Sequence, residues 1–177
     1  MTLQRKIGFV VGYSTYAILL CSILVGQPGL VVGFVCYIPA PLFAAFILLF
    51  TTGVTINRGL AFFVFCCGLY YAGIYCIIDQ IADRNHYQLL IPLMSCLGAV
   101  FVSLAYSLLF KLTLNFRKDV LNSAIIGLQA SILTLITSFF DPVSNEIADQ
   151  LIAIGFYSIF PFWIVSMSKY LLSKSDA

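Results

Sequence analysis

The sequence predicts an all-α, polytopic integral membrane protein with six transmembrane helices, because composition, run length and charge placement agree. Apolar residues make up 62% of the 177 residues and charged residues 9%, whereas soluble domains carry roughly 45–50% and roughly 25%. A chain with so few charges could not dissolve as a globule. We therefore expect a single membrane domain over residues 1–177, surrounded by the lipid bilayer.

Six long apolar runs supply the predicted helices. A helix needs about 20 residues to cross a hydrocarbon core of roughly 30 Å, since each residue adds about 1.5 Å. No run contains an Asp, Glu, Lys, Arg or His, and none alternates polar with apolar residues as a transmembrane strand does. The predicted helices cover about residues 7–26, 30–52, 59–78, 89–110, 120–140 and 150–168.

The basic residues give the predicted orientation. Eight of the nine Lys and Arg residues fall on the side that holds the termini, and only Arg84 falls on the other. The positive-inside rule then places both termini in the cytoplasm, as an even number of helices allows. We expect the bacterial cytoplasmic (inner) membrane. The eight residues are Arg5, Lys6, Arg58, Lys111, Arg117, Lys118, Lys169 and Lys174.

The first helix and the cysteines show no sign of processing or cross-linking. Residues 7–26 form a run longer than the roughly 7–15 residues of a signal-peptide core, so we expect this helix to be retained. All cysteines lie in apolar runs, where cysteine acts as a small hydrophobe. No His lies near any of them, so the sequence predicts neither a metal site nor a cofactor. The cysteines are Cys21, Cys36, Cys66, Cys67, Cys76 and Cys96.

Polar and helix-breaking residues inside the predicted helices are the first candidates for ligand binding. Pro39 and Pro41 fall midway along the second predicted helix, where proline frees backbone carbonyls that bind substrates in transporters. Gln129 is the one carboxamide near the membrane midplane, where polar groups are costly and often functional. The plain alternatives are a kink at the prolines and a single interhelical hydrogen bond from Gln129.

A second candidate group lies at the predicted outer end of the third helix. Tyr71, Tyr75 and Asp79 stand there within three helical turns of one another. Together they predict an aromatic-lined outer pocket that contributes to ligand binding. The alternative is an interfacial aromatic belt beside an ordinary solvated acidic face.

Small and hydroxylated residues predict where helices pack. Such residues let membrane helices approach closely and form hydrogen bonds across the interface. The fifth predicted helix carries a stripe of them, for which a hydrated path is the alternative, and the third carries a similar stripe. The helix-packing positions are Gly127, Ala130, Ser131 and Thr134 on the fifth helix, and Gly68 and Ala72 on the third.

Two function classes follow from this pattern, and an integral membrane enzyme ranks third behind them. The predicted membrane core holds no acid, base or metal cluster for catalysis, and a net charge of +2 is too small to indicate nucleic-acid binding. The first hypothesis is a small transport or channel component that binds a solute between helices. The alternative is a non-catalytic accessory or immunity-type protein that acts through helix contacts with a membrane-protein partner. A homo-oligomer is compatible with both.

Overall fold

The computed structural model describes residues 2–24, 38–82, 87–138 and 146–175, and these residues form six α-helices and no strand. The all-α prediction is therefore confirmed. The helices are α1 (Leu3–Leu24), α2 (Pro39–Phe50), α3 (Ile56–Ala82), α4 (Tyr87–Leu109), α5 (Phe116–Ser138) and α6 (Glu146–Ser175).

Two of the described helices are long and apolar enough to cross a bilayer. The qualifying segments are Ile56–Cys76 of α3 and Leu90–Leu109 of α4. Only 17% of the residues in the apolar window of α3, and 39% of those in α4, are buried inside the protein. A core helix of a soluble protein would bury most of its apolar residues, so these outward-facing apolar surfaces point to membrane association.

The helices pack in a continuous bundle with α6 near its centre. Helix α5 packs along both α4 and α6, α3 packs against α2 and α4, and α6 also contacts α1 and α2. The main core includes Phe62 of α3 and Tyr106 of α4, which are fully buried with their ring centroids 5.6 Å apart. The Tyr106 hydroxyl lies 2.8 Å from Oγ1 of Thr51, the residue that follows α2. This contact ties the end of α2 to the last turn of α4.

The start of α2 differs from the sequence-based expectation. The helix begins at Pro39, directly after Ile38, so Pro39 and Pro41 lie in its first turn and not midway along a helix. Proline fits the first turn because the backbone N–H that it lacks has no intrahelical partner there. Of the second predicted helix, residues 30–37 lie outside the described residues.

Helix α4 ends in a Schellman motif at the basic turn that precedes α5. The N–H of Leu112 donates to the carbonyl of Ser107 at 2.9 Å, and that of Lys111 donates to Leu108 at 3.4 Å. Lys111 has a φ of 56°, in the left-handed region that glycine usually occupies at this position. The turn brings α5 back alongside α4 in the antiparallel direction.

Candidate functional site

A partly open cavity of about 120 Å³ lies between α2, α3, α4 and α6. Pro39 and Phe43 of α2 line one side of it, and Trp163 of α6 packs edge-on against Phe43 with ring centroids 5.0 Å apart. Glycines keep parts of the wall open, since a Cβ added at Gly73 or Gly98 would meet no atom within 4 Å. Most of the wall is therefore apolar side chain or bare helix backbone.

The polar atoms of the wall are largely committed to contacts within the protein. Ser95 donates its hydroxyl to the carbonyl of Gly127 at 2.9 Å, and its own carbonyl accepts a hydrogen bond from Nε1 of Trp163 at 3.3 Å. Tyr70 packs against the ring of Tyr71 at 5.9 Å and has a further partner. Among the described residues, no charged side chain lines the cavity. The cavity can therefore hold an apolar group far better than an ion.

The predicted ligand-binding residues divide around this cavity. Pro39 lines it, whereas Pro41 is partly buried outside it. The lining tyrosine is Tyr70, while Tyr71 is 37% exposed and Tyr75 is 73% exposed at the surface of α3. The structure thus brings one predicted residue to the cavity and leaves the two predicted tyrosines on the outside.

Gln129 does not line the cavity, and the structure does not test the prediction for Asp79. Gln129 is exposed on α5, on the side of that helix that faces away from the bundle. Asp79 lies within α3, near its C-terminal end, and its side chain falls outside the described residues. The exposed carboxamide of Gln129 is therefore a surface feature of this chain, and any ligand or partner that it contacts approaches from outside the bundle.

The small residues of α5 lie against α4. A Cβ added at Gly127 would come within 2.5 Å of the Cα of Cys96 and 2.6 Å of the Ser95 carbonyl oxygen, a distance that only glycine permits. Ala130 and Ser131 are buried, and the Ser131 hydroxyl donates to the Gly127 carbonyl at 3.0 Å. The side chain of Thr134 lies outside the described residues. The two backbones are thus in direct contact at Gly127.

The similar stripe on α3 is not in contact with another described helix. Gly68 and Ala72 are both exposed, and a Cβ at Gly68 would meet nothing within 4 Å. Helix α3 instead turns its buried face, with Phe62 and Cys66, toward the bundle. The spacing of small residues alone could not tell these two situations apart.

The start of α5 carries a buried polar network that the sequence did not predict. Nζ of Lys174 lies 2.6 Å from Oδ2 of Asp119 and donates to the Ser107 hydroxyl at 2.7 Å. The Tyr170 hydroxyl donates to Oδ1 of Asp119 at 2.7 Å, and the backbone N–H of Asn115 donates to Oδ2 at 3.1 Å. Asp119 is only 4% exposed. The Asp119 carboxylate therefore joins α5 to α6, and the Lys174 ammonium extends the network to α4 through Ser107.

The network shifts two pKa values. Burial raises the pKa of the Asp119 carboxyl, but hydrogen bonds from Lys174 and Tyr170, the charge of Lys174 and the Asn115 N–H together outweigh it, so the net pKa is lowered. Burial, together with the hydrogen bond to Asp119 and its negative charge, raises the pKa of Tyr170 to about 12. Both groups thus keep one protonation state at neutral pH, as structural groups do.

The sequence contains a signal for the polar network but none for the cavity. Asp119 is one of two acids on the predicted cytoplasmic side, and it directly precedes an apolar run. That placement could have marked it as a buried partner for a lysine. The cavity gave no signal, since Met94, Gly98 and Ile159 are ordinary residues for an apolar helix.

Metal-binding chemistry does not appear in the part of the chain that the structure describes. No group of three or more His, Cys, Asp or Glu side chains gathers there. Cys66, Cys67, Cys76 and Cys96 are free thiols, and Cys66 contributes to the cavity wall.

Comparison with known proteins assigns no family to the chain. No family profile, no curated protein and no solved structure matches it.

Proposed function

We propose that this chain is a six-span protein of the bacterial inner membrane with both termini in the cytoplasm, and that it serves as a transport or channel component. The solute binds between helices, in the cavity bounded by α2, α3, α4 and α6. The observation that carries the proposal is this cavity, which is walled by four helices yet kept open by Gly73 and Gly98.

The outer surface of the bundle supports the proposed membrane setting. A row of large apolar side chains, each at least 43% exposed, runs along α5 at helical spacing. On α1, Phe9 and Tyr13 are likewise 45% and 46% exposed. Such continuous apolar surface is rare on a soluble monomer and suits contact with lipid. The residues of the α5 row are Leu121, Ile125, Leu128, Ile132 and Ile136.

The topology can be tested with reporter fusions along the chain. Reporters placed after Arg58, Lys118 and Lys174 are expected to read as cytoplasmic. Those placed after Gln27, Asn85 and Asn145 are expected to read as external. Because each site depends on the number of spans before it, one reversed reporter would overturn the six-span arrangement.

Cavity-filling variants test the proposed binding site. In Gly98→Leu the new side chain projects into open cavity space, and in Gly68→Leu it projects from the exposed face of α3. A thermal-shift screen of the purified protein against uncharged solutes is expected to yield compounds that stabilise the native and Gly68→Leu proteins alike. The same compounds are expected to lose their effect on Gly98→Leu. Equal stabilisation of both variants would place the binding site elsewhere.

A partner protein is the second candidate function, and one observation favours it. The Gln129 carboxamide is exposed among apolar neighbours on α5. In the proposed membrane setting a carboxamide facing lipid is costly unless another helix supplies its hydrogen bonds. An accessory or immunity-type protein would present such a group to its partner. Purification in mild detergent, followed by measurement of mass, separates a monomer from a homo-oligomer and from a complex with a second protein.

A further inference from the structure

We infer that the cavity between α2, α3, α4 and α6 binds the end of a hydrocarbon chain, such as that of a lipid acyl chain or of a free aliphatic molecule. This inference rests on the proposed solute-binding function and names the chemical class of the solute. It excludes sugars, amino acids and ions as occupants of this cavity.

The chemistry of the wall carries the first step. A polar ligand that leaves water must regain its hydrogen bonds in the site, or it loses binding free energy. The described part of the wall has no charged side chain, and the hydroxyl of Ser95 and the indole N–H of Trp163 already donate to backbone carbonyls. Phe43, Met94 and Ile159 present only apolar atoms. A hydrocarbon needs no hydrogen bond and so loses nothing on entry.

The size of the cavity carries the second step. Its volume is about 120 Å³, and an apolar protein cavity of about 150 Å³ stays dry and accommodates one benzene molecule. The space therefore suits a few methylene groups and not a whole lipid. Because the cavity is partly open, the remainder of the bound hydrocarbon chain can extend past the helices.

One residue of the cavity wall, Trp163, is a natural fluorescent reporter. Trp163 is the single tryptophan of the chain and lines the cavity, so all tryptophan fluorescence comes from a residue of the cavity wall. Bromine quenches tryptophan emission at contact distance, and acrylamide, a polar molecule, quenches only where water has access. The two quenchers thus distinguish a cavity that admits hydrocarbon from one that admits water and polar solutes.

The experiment measures quenching of Trp163 in the native protein, in Gly98→Leu and in the control Gly68→Leu. One arm uses phosphatidylcholine vesicles with brominated acyl chains, and the other uses bromodecane added to protein in phospholipid-free detergent. We expect quenching by a brominated chain that is several-fold weaker in Gly98→Leu than in the native and control proteins. Quenching in the vesicle arm alone identifies a bilayer lipid, and quenching in the bromodecane arm alone identifies a free aliphatic solute.

Two results would overturn the inference. The first would leave the proposed solute binding intact, and the second would contradict it as well. Acrylamide quenching that depends on Gly98, without such dependence for the brominated chains, would show a hydrated cavity; solute binding would stand and the hydrocarbon class would fail. Quenching that is independent of Gly98 for every probe would remove the binding site as well. If Gly98→Leu does not fold, Gly73→Leu fills the cavity from α3 and serves the same purpose.

Discussion

The ammonium of Lys174, in the last turn of α6, lies 2.6 Å from the buried carboxylate of Asp119 in the first turn of α5. Each charge also suits its helix end, since a negative charge is favourable at a helix N-terminus and a positive charge at a C-terminus. The pair thereby holds the C-terminal end of α6 against the start of α5.

Loss of one partner of this pair is expected to destabilise the fold. Lys174→Met would leave the Asp119 carboxylate buried without its cation, and we expect it to lower the free energy of unfolding by about 3 kcal/mol. Lys169→Met, at an exposed position on the same helix, is the matched control with little expected effect. Urea or thermal unfolding in detergent measures both. The double variant Asp119→Asn/Lys174→Met should lose less than the sum of the two single losses; strict additivity would show that the pair is not coupled.

The same pair predicts a loss of stability in acid. The pKa of Asp119 lies below its ordinary value of 3.8. At pH values above that ordinary value, the ionised carboxylate therefore stabilises the folded state. This contribution is lost as the pH falls through the lowered pKa, below about pH 4. The melting temperature of the native protein should therefore exceed that of Asp119→Asn at pH 7, and the gap should narrow below pH 4. A gap that is constant down to pH 3 would contradict the assigned direction of the pKa shift.

The close contact between α4 and α5 at Gly127 predicts that this position tolerates no side chain. Gly127→Ala would push a methyl group into the backbone of α4 at Cys96 and Ser95, and we expect a loss of about 1–3 kcal/mol from the resulting overpacking. Gly68→Ala adds the same methyl group to open space on α3 and should be neutral or slightly stabilising, since alanine favours helix. Comparable losses from both variants would show that the contact with α4 does not set the effect of Gly127→Ala.

Substitution of Gln129 is expected to affect function without affecting stability. Its side chain is exposed, so Gln129→Leu should change the free energy of unfolding by no more than about 0.5 kcal/mol. The amount of folded protein in the membrane, measured by fluorescence-detected size exclusion, should equal that of the native chain. A shift from an oligomer or complex to a monomer in that variant would support the partner function. An unchanged assembly would leave Gln129 without a role in association.

The helices could be predicted from the sequence because apolar run length and absence of charge are local properties. Their partners could not, because the same small residues occur on α3, where Gly68 is exposed, and on α5, where Gly127 touches α4. Which face of a helix is covered depends on all of its neighbours at once. The sequence pattern records which residues permit close approach and does not record where that approach happens.

The candidate sites were harder to predict for a related reason. Conspicuous residues such as Gln129 and Tyr75 drew the functional expectation, yet the structure leaves both exposed. The cavity is formed by the absence of side chains at Gly73 and Gly98, and an absence becomes visible only when four helices are assembled around it. The exception is Pro39, which was singled out as a helix breaker and does line the cavity.

Lys111, with its left-handed backbone, meets two different requirements. One applies in the folded protein and the other during synthesis. In the folded state a glycine would relieve roughly 1–2 kcal/mol of backbone strain at this turn. During synthesis, however, in the proposed topology the positive charge of Lys111 helps to retain the loop on the cytoplasmic side as α4 and α5 enter the membrane. The residue that would make the finished protein most stable is thus not the residue that best guides the nascent chain.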